Sequence, residues 1–126
     1  NCRFNRIVGS LHVIRIYFMQ TDSIIYHVTT QQEWLQAKEI GFYTTPSLAI
    51  EGFIHCSTQK QVKGVLERYF VGKTNLVELV IDTKKLTHEL KYEIAPSINE
   101  AFPHIYGHIN LSAVVEVKNI SKANSL

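Results

Sequence analysis

The stretch Gly52-Phe53-Ile54-His55-Cys56-Ser57-Thr58 brings an imidazole, a thiol and a hydroxyl together at the end of a short apolar run. Two further histidine stretches have a similar setting: Tyr26-His27 lies in a β-branched run, and His104 lies in Phe102-Pro103-His104-Ile105-Tyr106-Gly107. Imidazole titrates near neutral pH, so histidines gathered at strand ends can trade protons or hold an anion. A serine at a helix start adds free backbone amides that favour the same negative charge. The expectation is one cavity lined by His27, His55, Ser57 and His104, with Glu93 as the best-placed carboxylate.

Each of these residues also has a plainer role open to it. His27 fits a core histidine bonded to a backbone carbonyl, Ser57 a helix cap, His104 a turn residue and Glu93 a solvated strand position. Cys56 alternates inward between His55 and Ser57 and reads as a small buried hydrophobe. Zinc would accept His27, His55, Cys56, His104 or His108, but no pair has i, i+4 spacing on a credible helix, so no metal site is expected.

The elements that position these groups belong to one domain. A chain of 126 residues buries roughly two-thirds of its unfolded surface and needs neither metal nor disulfide to fold. A net charge of +2 with the two signs interspersed disfavours a nucleic-acid surface and leaves a small anionic ligand as the expected partner. Cys2 and Cys56 are too few for a secreted disulfide framework, which makes a reducing, cytoplasmic setting the expectation. Residues 1–23 read as an N-terminal extension or an extra edge strand. Within them Ile7 to Phe18 is apolar, yet His12 and Arg15 interrupt it and it is too short to span a bilayer. Arg3 and Arg6 ahead of that run resemble a signal-peptide start, although no small-residue cleavage site follows.

Residues 24–118 carry the pattern of the domain. Ile24 to Thr29 reads as a strand, and Thr30 with Glu33 as a capping box opening a helix with Trp34, Ala37 and Ile40 on its apolar face. Gly41 stops that helix. Residues 42–52, with Pro46 and Gly52, read as a connecting loop. Phe53 to Cys56 is a short strand, followed by a helix capped at Ser57 or Thr58 whose stripe Val62, Val65, Leu66, Tyr69 and Phe70 lies on a core. Leu76 to Ile81 is apolar enough for a central strand. Leu90, Tyr92 and Ile94 alternate with Lys91 and Glu93, which turns Glu93 away from the core side chains. Phe102 to Gly107 reads as a constrained turn, Leu111 to Val117 as a closing strand and 119–126 as a polar tail. More strands than helices, without βαβ alternation, predict an α+β domain.

The series IIYHVTT, Trp34, GFIHCST, KYE and FPHIYG resembles the DUF952 family over about residues 24 to 118. That resemblance implies an ADP-ribosyltransferase-like split β-sandwich of two small, mainly antiparallel sheets with two main helices. In the wider superfamily a strand-borne YHG(T) motif is similar to Tyr26-His27-Val28-Thr29, and the His-Leu-Ser of the RNA 2'-phosphotransferase branch is similar to His55-Cys56-Ser57. Val28 stands where a glycine is usual, and no Glu-x-Glu pair or phosphate-holding arginine has a counterpart. The implied function is a transferase acting on NAD, ADP-ribose or a phosphorylated nucleotide, with NAD as a substrate and no tightly bound cofactor. In that chemistry His27 positions ribose or phosphate, Tyr106 or Tyr43 stacks on the base, and Glu93 steadies an oxocarbenium cation. In a phosphotransferase variant His55 and His104 bind phosphate or move protons, and Thr29, Ser57 and Tyr106 complete the ligand contacts. The alternative is a non-catalytic module that binds a nucleotide or another small anion in the same pocket.

Overall fold

The computed structural model of the protein describes residues 22–122. The expected extension or edge strand over residues 1–21 and the final tail residues 123–126 lie outside them. Among the described residues the chain is α+β, with three α-helices and eight strands paired throughout in antiparallel fashion. No helix among them is long and apolar enough to cross a membrane.

Strand β1 (Ile24–Thr30) pairs with β4 (Thr74–Asp82), and the other edge of β4 pairs with β8 (Val114–Lys122). A central strand covered on both faces needs apolar side chains on both. Accordingly Val77, Leu79 and Ile81 of β4 enter one core while Leu76 enters another. A second sheet has the order β3 (Ile54–His55), β6 (Glu100–Ile105), β5 (Leu90–Ala95), and β2 (Phe42–Tyr43) forms a ribbon with β7 (Ile109–Asn110). The larger core lies between these layers. Ile25, Leu79 and Ile81 of the first sheet meet Ile54 and Ile105 of the second, Tyr43 and Ile109 of the ribbon and Ala37 of helix α1 (Gln31–Ile40). Each fully buried Ile or Leu contributes about 1.5–3 kcal/mol relative to an exposed one.

Helix α1 starts at the expected capping box. The Glu33 amide donates to Thr30 Oγ1 at 3.1 Å and the Thr30 amide donates to Glu33 Oε1 at 3.3 Å. Gly41 ends the helix with φ 108°, a left-handed conformation in which its amide reaches the Ala37 carbonyl. Helix α3 (Gln59–Tyr69) begins after Thr58, whose amide donates to Gln61 Oε1 at 3.0 Å. The Gln61 side chain then donates to the Ala101 carbonyl at 2.8 Å, tying the helix start to β6. Val62, Leu66 and Phe70 close the smaller core against Val28, Leu76 and Ile120.

Several expectations change. Residues 42–52 are not a plain loop, and the helices number three, because α2 (Pro46–Glu51) forms there. Pro46 stands in its first turn, where a missing N–H costs nothing, and Gly52 follows its end with φ 94°. Phe102 to Ile105 is strand rather than turn, in the middle of the second sheet. Tyr69, expected in the core, is 60% exposed, and Ile94, expected on the core side of β5, is 58% exposed. The polar residues after 118 stay paired as far as Lys122, with Asn119 opposite Val77 and Ile120 opposite Leu76.

The segment Ile54–Ser57 joins the two sheets. Ile54 and His55 pair with Ile105 and His104, and the Cys56 amide still donates to the Pro103 carbonyl at 2.9 Å. Proline has no N–H to return to Cys56, so the ladder stops there. Ser57 pairs instead with Tyr26 of β1, through bonds of 2.8 and 2.7 Å.

Candidate functional site

A cavity of about 530 Å³ opens where the two sheets meet α3, and its wall includes His27, His55, Ser57 and His104. The three histidines far apart in sequence therefore share one cavity. The rest of the wall is mainly apolar or aromatic, with Phe53 beside the imidazoles and Val65, Phe70, Ile98 and Phe102 farther along.

His55 and His104 face each other across the β3–β6 pair. At a position where two strands exchange no hydrogen bonds side chains approach closely, and these rings stand edge to face with centroids 5.1 Å apart. Phe53 completes the group: it stacks on His104 at 4.0 Å and 15° and meets the edge of His55 at 4.8 Å. His104 is only 7% exposed. Its Nδ1 lies 2.7 Å from Glu93 Oε1, and Tyr106 donates its hydroxyl to the same oxygen at 2.6 Å. These hydrogen bonds, from Tyr106 first and then from His104, hold the Glu93 carboxyl below its ordinary range. The reciprocal effect raises the Tyr106 phenol to about 12, chiefly through its bond to Glu93. A carboxylate only accepts, so Nδ1 of His104 carries the proton and Nε2 is the ring nitrogen left to the cavity. His55 is the exposed partner, with Nε2 3.2 Å from Glu51 Oε2.

His27 is held differently. Its Nδ1 lies 2.6 Å from the His55 carbonyl, and its Nε2 lies 2.8 Å from the Tyr43 hydroxyl. A carbonyl only accepts, so Nδ1 carries the proton and Nε2 accepts from Tyr43. Burial pushes the imidazole down to about 4, and the bond to the His55 carbonyl only partly offsets it. His27 is therefore neutral, with both nitrogens engaged, and presents its ring to the cavity. Tyr43, one of the two expected stacking residues, is buried and serves as that bond's donor.

The remaining expected residues separate into those at the wall and those behind it. Ser57 is 5% exposed and lines the cavity, but the cap of α3 is Thr58. Cys56 also reaches the wall, and burial pushes its thiol well above the usual range, so it stays protonated. Glu93 and Tyr106 stand behind His104 and outside the wall. Thr29 is buried away from the cavity and donates its hydroxyl to Glu33. Among the described residues no group of three or more His, Cys, Asp or Glu side chains is placed to hold a metal ion.

Phe53, Glu51 and Tyr69 are wall residues that the pattern of histidines did not point to. Glu51 had a signal, because it precedes His55 by four residues at the end of a segment bracketed by Pro46 and Gly52. Phe53 had none beyond its place before the strand.

Comparison with known proteins places the chain. No curated protein matches it. The crystal structure of protein CC0527 from Caulobacter crescentus is similar with a TM-score of 0.69 and 26% identity, covering 81% of this chain and 96% of that one. The solution NMR structure of CC0527 gives the same TM-score at 29% identity, covering 79% of this chain and 86% of that one. The family described as "Protein of unknown function (DUF952)" matches residues 28–117. With both histidine motifs of the second sheet and most of its length inside that match, the chain belongs to the DUF952 family.

Proposed function

We propose that the cavity takes a phosphorylated nucleotide and that the protein transfers the phosphoryl group by acid–base chemistry, as a transferase of 2'-phosphotransferase type on an ADP-ribosyltransferase-like split sandwich. The observation that carries this reading is the pair of adjacent imidazoles on the wall, 5.1 Å between centroids, the buried one backed by Glu93. His104 Nε2 takes the proton of an attacking hydroxyl while protonated His55 gives one to the leaving oxygen, as one P–O bond forms and another breaks. Glu93 acts through His104: it fixes the tautomer and stabilises the imidazolium that forms, as a carboxylate behind a general base does. Ser57 stands on the wall beside the two imidazoles, where its hydroxyl can reach the phosphate, and Phe53 and Phe102 offer faces for the base.

Transfer of ADP-ribose from NAD is the related reading, and it asks for a carboxylate against the ribose. Glu93 is turned to His104 and Tyr106 instead, which favours phosphate chemistry over an oxocarbenium route. A module that binds the same nucleotide without turnover is the second reading, supported by a wall that is mostly apolar.

A thermal-shift series with nucleotides, NAD and ADP-ribose, followed by turnover assays on Glu93→Gln, separates these. A ligand at a hundredfold its dissociation constant adds about 2.7 kcal/mol of stability. Loss of general-base function lowers the rate about 10²–10⁴-fold. The enzyme reading expects Glu93→Gln to keep affinity and lose turnover by that order. Binding with no turnover by the unaltered protein supports the module, and no shift with any nucleotide refutes the assignment.

A further inference from the structure

The groups on the cavity wall that can answer a negative charge are few, and their number limits the ligand. His27 has both nitrogens committed, to the His55 carbonyl and the Tyr43 hydroxyl. The Cys56 thiol stays protonated. Glu51 is itself an acid and already holds His55 Nε2 at 3.2 Å. Among the described residues that leaves His104 and, through the ring nitrogen that Glu51 does not hold, His55, side by side with Ser57 just ahead of α3. Away from them the wall is Val65, Phe70, Ile94, Pro96, Ile98 and Phe102. The guanidinium of Arg68 lies 5.7 Å from the ring centroid of Tyr69 but is not part of the wall.

We infer that the cavity selects ligands carrying a single phosphate, such as a nucleoside monophosphate, over diphosphates such as ADP-ribose or NAD. This rests on the nucleotide reading above and narrows it. One phosphate meets two imidazoles, which answer its charge when protonated, and Ser57 beside them. A second phosphate has an apolar wall or the Glu51 carboxylate for company, and a charge taken from water without a partner is strongly disfavoured. The aromatic and aliphatic surface instead accepts an uncharged body such as a nucleobase.

Isothermal titration of the full chain with adenosine, AMP, ADP and ADP-ribose tests the inference, alongside the variant Tyr69→Arg. Tyr69 lines the cavity yet is 60% exposed, so the variant adds a cation to the wall without disturbing the core. AMP is expected to bind at least tenfold more tightly than adenosine, ADP or ADP-ribose, and Tyr69→Arg to narrow the gap between AMP and ADP severalfold. ADP or ADP-ribose binding as tightly as AMP overturns the single-phosphate rule and leaves the nucleotide pocket standing. Adenosine matching AMP, or a gap unchanged in Tyr69→Arg, also overturns the rule. Failure of all four to bind overturns the nucleotide reading, and the rule with it.

Discussion

Replacing His27 by glutamine should flatten the acid side of the stability profile. In the fold the His27 imidazole is pushed down to about 4 from an ordinary 6.5 by burial. The unfolded chain takes up this proton below pH 6.5 and the folded chain only near pH 4, so the unfolded state binds more protons in between. Stability from this group is complete above pH 6.5, falls as the pH drops from 6.5 to 4, and levels off below. At about 1.4 kcal/mol per pH unit the interval is worth at most about 3.5 kcal/mol, of which about 3 is lost by pH 4, where half the folded molecules carry the proton. The cause is burial: a charge on this ring would have little water to answer it, and its Nε2 already accepts from the Tyr43 hydroxyl. Urea unfolding between pH 7.5 and 4 measures the effect, with an unchanged m-value as the check that the two states stay comparable. The hydrogen-bonded carboxyls of Glu33 and Glu93 also lose their contribution as the pH falls. That of Glu93 is common to both proteins and cancels in the difference, while Glu33, which also feels the His27 charge, cancels in its hydrogen-bonded part. His27→Gln should be less stable at pH 7.5, having lost ring packing, and should lose about 3 kcal/mol less than the parent on the way to pH 4. Parallel profiles would refute the assignment of a neutral, doubly bonded His27.

Three further outcomes follow from particular contacts. Thr30→Ala removes the side-chain acceptor for the Glu33 amide and should cost about 1 kcal/mol in thermal or urea unfolding. Gly107→Ala places a methyl group 2.2 Å from the His88 ring, which must leave its bond to the His108 carbonyl, so a loss of about 1–3 kcal/mol is expected. Cys56 is 2% exposed with its thiol held protonated, so mass mapping after brief native alkylation should find it unmodified, and modification should appear only in denaturant.

How much of this was legible in the sequence depended on how local the cause was. The caps of α1 and α3 rest on residues three apart, and both formed as their spacing implied. The apolar run of β4 needs two covered faces and found them. Helix α2 is hard to see in the sequence because Pro46 and Gly52, ordinarily breakers, here bracket a single short helix. Pro103 hid β6, since a proline inside a central strand is unusual; its carbonyl is used and only its absent N–H ends the ladder. Tyr69 continues the helical stripe, but the stripe runs past the smaller core to the cavity rim. The meeting of His27, His55 and His104 could be anticipated from their strand settings. The Glu93–His104–Tyr106 group could not, because it depends on the cross-strand register that sets Glu93 opposite Phe102 and Lys91 opposite His104.

The bonds that Cys56 and Ser57 make in opposite directions bear on how the molecule comes apart. Prying one sheet from the other frees the amides of Tyr26 and Ser57 and withdraws the His55 carbonyl from His27. The amides at this seam should consequently exchange with solvent deuterium in one shared opening event, and the cavity's polar end vanishes in that same event. The cavity wall and the junction of the sheets are thus fastened by the same few peptide groups, and a lesion there would open both together.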